Sequence, residues 1–124
     1  MPETELRFYR DDNGSVPVLD WLDDLAKRDR RAYLKCREVI GRLALMGRGS
    51  RRPTADLLED GLYELRAKVS RVNYRVLYFF HGRDVAILAH GLTKERAIPK
   101  ADLARARQRK AKFEADPKRH TQQE

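Results

Sequence analysis

Apolar positions along the chain change period twice, and the changes divide it into elements. Leu6, Phe8 and Tyr9 form a short run with β-favouring aromatics, which Asp11-Asp12-Asn13-Gly14 breaks with turn formers. The run predicts a strand over residues 5–10, and its place near the start of the chain suits a sheet edge. Ser15 offers a helix N-cap. Pro17 falls in the first turn, where a missing N–H costs no hydrogen bond. Val18, Leu19, Leu22, Leu25 and Ala26 then recur at helical spacing, with Trp21 beside them. A second helical stripe, Tyr33, Cys36, Ile40, Leu43 and Gly47, follows the charged residues 27–31, with Val39 next to it. Together the stripes predict a helical hairpin that stops at Gly47-Arg48-Gly49-Ser50.

Residues 51–60 are polar around Pro53 and Leu57-Leu58, and read as a loop. The period then shortens to two. Tyr63, Leu65 and Ala67 alternate with Glu64, Arg66 and Lys68. Residues 73–80 and 84–90 are rich in β-branched and aromatic side chains, and His81-Gly82-Arg83 joins them as a hairpin. Three such strands with short links make an antiparallel meander. From Pro99 the pattern is helical again, with Leu103, Ala106 and Phe113 on a thin apolar face, until Pro117 ends it. The expected fold is α+β in the order β-α-α-β-β-β-α, a helical hairpin packed on a small, mainly antiparallel sheet. It fills one domain over residues 1–116, with a disordered tail over 117–124.

Composition adds a partner class. The chain has 124 residues, 37% of them charged, and a net charge of +8. Its pI of about 9.9 points to a polyanion: nucleic acid, the ribosome, an acidic protein or a membrane surface. Residues 94–119 hold ten Lys or Arg against four acids. A basic stripe of this kind gains affinity for nucleic acid by releasing counterions, without reading sequence. A solvated helix face is the plainer explanation for any single one of these residues. One cysteine excludes an internal disulfide and a Cys-rich zinc site. No apolar run has signal-peptide or bilayer-spanning length, so a reduced cytoplasmic protein with no membrane partner is expected.

Four motifs carry a resemblance. Leu62-Tyr63-Glu64-Leu65-Arg66 is followed by Asn73-Tyr74-Arg75-Val76-Leu77-Tyr78-Phe79-Phe80, then by His90-Gly91-Leu92-Thr93-Lys94-Glu95. Ile98-Pro99-Lys100-Ala101-Asp102-Leu103-Ala104-Arg105-Ala106 closes the series. In this order and spacing, across residues 5–115, the chain resembles the RelE/ParE superfamily of toxins, with the phage-derived, HigB-like branch the nearest. The resemblance implies a type II toxin on a microbial-RNase-like sheet that docks in the ribosomal A site and cuts mRNA. It also implies a cognate antitoxin, of helix-turn-helix DNA-binding type, that holds the toxin inactive.

RNA cleavage of that kind uses the 2′-hydroxyl as nucleophile. It needs a proton acceptor, a proton donor and cations beside the phosphate. The three histidines and scattered acids show no metal-ligand spacing, so no metal and no cofactor are assigned. Arg66, Arg75, His90 and Lys94 are the candidate catalytic residues. Lys68, Lys100, Arg105, Arg109 and Lys112 are the candidate RNA contacts. Each has a competing reading. Arg75, the lone cation of an apolar strand, either faces phosphate or pairs internally with Glu64. Arg66 has the same two options. His90 either trades protons near neutral pH or is a half-buried histidine bonded to backbone. Lys94 is either a phosphate clamp or an ordinary exposed lysine. Residues 94–112 hold no tyrosine or histidine of the kind many ribosome-dependent relatives carry, so His90, Glu64 or Lys94 would have to move the proton. Two other functions compete: a non-enzymatic, gyrase-blocking ParE-like toxin, and a basic nucleic-acid-binding module without toxicity.

Overall fold

The computed structural model describes residues 4–50, 54–59, 61–94 and 97–123, with Lys94 described by its backbone only. Strand β1 (Glu5–Tyr9) leads into helices α1 (Pro17–Arg28) and α2 (Arg30–Met46), and a 3-10 turn (Gly47–Gly49) closes the hairpin. Strands β2 (Ala55–Glu59), β3 (Leu62–Val69), β4 (Val72–His81) and β5 (Val85–Lys94) follow, then α3 (Lys100–Ala115) and β6 (Thr121–Gln122). The six strands form one sheet in the order β2-β3-β4-β5-β1-β6. Only the β1–β5 pair is parallel. Three helices on a mostly antiparallel sheet make this an α+β fold. No helix among the described residues is long and apolar enough to cross a membrane.

The helical hairpin forms where the stripes place it. Val18, Leu22 and Leu25 of α1 and Ala32, Cys36, Val39, Ile40 and Leu43 of α2 are buried against one sheet face. Each fully buried leucine or isoleucine contributes about 1.5–3 kcal/mol. Pro17 is the first residue of α1, but Val16 precedes it without a side-chain cap, and Ser15 instead donates its N–H to Asn13 Oδ1 (2.9 Å). A single residue separates the helices. Asp29 ends α1 and caps α2, accepting from the Ala32 N–H at 3.2 Å. Trp21 packs over Gly91 of β5, where a Cβ would overlap its indole ring.

The structure corrects three expectations. Part of the stretch read as a loop, residues 55–59, is strand β2, paired antiparallel with β3 at a register shift between Leu57 and Glu59. Its alternation is only five residues long and exposes Leu57, so the pattern was too weak to read. Strand β1 is not an edge, because β5 flanks it on one side and β6 on the other. The tail read as disordered supplies β6. His120 is buried, stacks on Tyr9 (ring centroids 5.4 Å apart, planes 5° apart), and has Nδ1 2.8 Å from Arg10 O. A polar segment thus folds back because one aromatic and two strand residues find partners on β1, contacts a hydropathy pattern does not register.

Candidate functional site

Helix α3 covers the other sheet face, packing Ala106 and Phe113 against Tyr9, Leu77, Phe79, Ile87 and Ala89. The cross-strand register lays out the polar side chains of that face in rows. Glu64, Leu77 and His90 are paired across β3, β4 and β5. Arg66, Arg75 and Leu92 make the next row, and Lys68, Asn73 and Lys94 the last. Neighbouring strands lie about 4.8 Å apart, so each row spans about 10 Å. The face carries candidates 66, 68, 75 and 90 because strand alternation points them one way, and the register sets the backbone of Lys94 in the last row.

A β-bulge makes this possible. Leu77 pairs with His90 but Tyr78 pairs with Leu88, which leaves Ala89 as the extra residue. Without that insertion, His90 would face the helical hairpin. The Ala89 carbonyl accepts a hydrogen bond from Arg109 Nη1 at 2.9 Å.

Glu64 is buried and both arginines converge on it. Arg66 Nη2 donates to Glu64 Oε1, while Arg75 Nε lies 3.3 Å from Glu64 Oε2 as an ion pair without hydrogen-bond alignment. Arg75 is buried with it, so the internal-pair alternative describes its position. The Arg66 side chain keeps 38% of its exposure. Among the described residues one buried carboxylate faces two guanidiniums, and Arg66 is the member that reaches solvent.

His90 is held from both sides. Its Nε2 is 2.7 Å from Asp102 Oδ1 and its Nδ1 is 2.8 Å from Arg109 Nη1. A guanidinium only donates, so Nδ1 accepts and Nε2–H donates to the carboxylate, which is the neutral imidazole. Burial lowers the His90 pKa below its usual value. The Asp102 hydrogen bond opposes that shift, and the Arg109 charge adds to it. His90 is thus half-buried as expected, but bonded to side chains of α3 rather than to backbone.

The basic stripe does not form one surface. Arg109 is buried against His90 and Ala89, which corrects its assignment as an RNA contact. Lys112 reaches back to Asp12 Oδ2 (2.8 Å), and Arg107 pairs with Glu59 (3.2 Å). Lys100 and Arg105 are exposed. The sequence did carry a signal for Arg109: Ala106, Arg109 and Phe113 stand at i, i+3 and i+7, so it lies inside the apolar stripe.

Basic groups converge elsewhere, between α2 and the end of β3. Among the described residues β2 pairs only with Leu62–Leu65, although Arg66 N–H still donates to Thr54 O (2.7 Å). Beyond that point lies a groove of about 480 Å³ walled by Lys35 and Arg42 on one side and Arg66, Lys68 and Asn73 on the other. A larger cavity of about 690 Å³ lies at the opposite end of the sheet, against Arg7, Arg10 and Phe113, and contains none of the candidate residues.

No curated protein matches the sequence at a significant level. The model of one family, described as Phage derived protein Gp49-like (DUF891), matches residues 20–111. That span includes most of the helical hairpin, strands β2–β5 and most of α3, and with them every catalytic candidate. The chain therefore belongs to the Gp49-like family, a phage-derived, toxin-like family associated with RelE-like proteins.

Proposed function

We propose that this protein is the toxin of a type II toxin–antitoxin pair, of the HigB-like kind, and that it cleaves mRNA on the ribosome without a metal. The observation that carries the proposal is Arg66: a half-exposed guanidinium, braced by buried Glu64 and backed by Arg75, at the mouth of a groove whose other charged side chains are Lys35, Arg42 and Lys68. Such a cation sits ready for a phosphate and requires little reorganisation as charge develops on the phosphoryl oxygens. The 2′-oxygen attacks phosphorus, the bond to the 5′-oxygen breaks, and a 2′,3′-cyclic phosphate forms. We assign to Lys94, whose strand row adjoins that of Arg66, the proton given to the leaving 5′-oxygen, while the proton released by the 2′-hydroxyl passes to solvent water and later restores the ammonium. His90 and Glu64 are already committed to Asp102 and Arg109, and to the two arginines. Its working partners are then the ribosomal A site with its mRNA in the cytoplasm, and an antitoxin of helix-turn-helix type.

One observation favours a second reading. Both His90 ring nitrogens are occupied, which leaves the face without an available titrating ring, as a toxin acting by binding alone would have it. Induced expression separates the two. Growth arrest with new mRNA 5′ ends, lost in Arg66→Ala, is the expected result. Arrest with intact transcripts would replace the nuclease by the gyrase-blocking reading.

A further inference from the structure

The groove continues past Lys35. A second hollow of about 400 Å³, lined by Arg31, Leu34, Lys35, Glu38 and Lys68, adjoins the first, and the two share Lys35 and Lys68. On α2 the charged residues Arg31, Lys35, Glu38 and Arg42 stand at i, i+4, i+7 and i+11, one row along the helix. The row is about 16 Å long at 1.5 Å per residue. Across from it, β3 presents Arg66 and Lys68. Among the described residues, five cations thus flank a channel that contains a single acid. Glu38 lies 2.8 Å from Lys35 and 3.5 Å from Arg42, so it holds both side chains in place along the row.

From this arrangement we infer that the α2–β3 channel is a track for the phosphate backbone of single-stranded RNA, leading to Arg66. The inference deepens the RNA-directed reading above and rests on it. Charge complementarity fixes the class of ligand: cations on both walls suit a polymer that carries a negative charge at every repeat. At about 16 Å the row spans only a few nucleotides. Among the described residues no aromatic side chain lines either hollow, so none offers a platform on which a base would stack. The track therefore reads the backbone and tolerates any base. An acidic peptide is disfavoured because the lining offers only Leu34, Val39 and Val69 as apolar anchors.

Fluorescence anisotropy of the full chain with a short labelled oligouridylate, across a range of KCl concentrations, tests the track without ribosomes or cleavage. Lys35→Ala/Arg42→Ala removes two exposed contacts. It should weaken binding on the order of tenfold at low salt and reduce the salt slope by about 1.4, two phosphate contacts' worth. Glu38→Gln should tighten binding, an effect that loss of a purely structural brace would not produce. Lys118→Ala, beside the opposite cavity, should leave affinity and slope unchanged, and an oligoadenylate should bind as the oligouridylate does. An unaltered slope in the double variant, weaker binding by Glu38→Gln, or tighter binding of polyglutamate or duplex DNA would overturn the track. A protein that binds in this way but leaves mRNA whole in the expression test keeps the track and loses only the nuclease.

Discussion

At the residue scale, the account turns on two buried polar groups, each shared between elements. Glu64 is 2% exposed and faces two guanidiniums, so Glu64→Gln leaves two cations beside each other without the carboxylate they share. Breaking a buried pair typically costs about 3–5 kcal/mol. Partial exposure of Arg66 puts this change below that range, at about 2–3 kcal/mol, readable by urea unfolding. His90 gives a pH dependence with a definite sign. Its pKa is lowered in the folded protein, so the unfolded chain takes up the proton first as pH falls. Stability contributed by the neutral imidazole is complete above the unfolded value of about 6.5 and is lost as pH falls below it toward the folded pKa. Protonation would also turn Nδ1 from acceptor to donor against Arg109. His90→Gln keeps a donor and an acceptor without titrating. Between about pH 7.5 and 5.5 the parent should lose more stability than this variant; equal losses would show that the Arg109 contact does not depend on the neutral ring. In the sequence, the polar position of Glu64 on β3 was legible. Its burial was not, because alternation tells which face a side chain takes but not how far that face is covered.

At the scale of elements, the helices and the three-stranded meander were readable because their apolar periods are long and unmixed. The residues that completed the sheet were not. Strand β6 is two residues long, and what holds it is the stacking of His120 on Tyr9 with ties from Asp12 to Lys112 and Arg119. Deleting residues 117–124 should lower stability by about 2–3 kcal/mol, the scale of a lost buried aromatic contact, and should speed amide exchange at Phe8 and Tyr9 more than at Leu77. Unchanged exchange there would return the tail to the disordered state its composition suggests. The Gly91–Trp21 contact belongs to this scale too. Gly91→Ala forces the indole off β5 and should cost about 1–3 kcal/mol in unfolding free energy, with Trp21 fluorescence as a local report. The bulge at Ala89 had no signature in the sequence, since nothing in a run of apolar residues marks which one is left unpaired. That one insertion places His90 against α3.

At the scale of the molecule, the net charge of +8 directs attention to a polyanion, and the local density of charge directs it to residues 94–119. The segment richest in Lys and Arg folds as α3, whose buried Arg109 and paired Lys112 and Arg107 are spent on the protein's own structure. The open basic surface instead comes from α2 and β3, whose cations are far apart in sequence and are joined only by packing. The proposed function comes down to one claim, that Arg66 grips an RNA phosphate and the chain is cut beside it. The most direct measurement is single-turnover cleavage of mRNA on programmed ribosomes by the purified parent and by Arg66→Ala, with the product ends analysed. The account predicts cleavage by the parent, ends bearing 2′,3′-cyclic phosphate, and a rate at least about 100-fold lower in the variant, the scale on which losing one transition-state charge contact acts. Intact mRNA with the folded parent, or an Arg66→Ala variant that cuts at the parental rate, would contradict it.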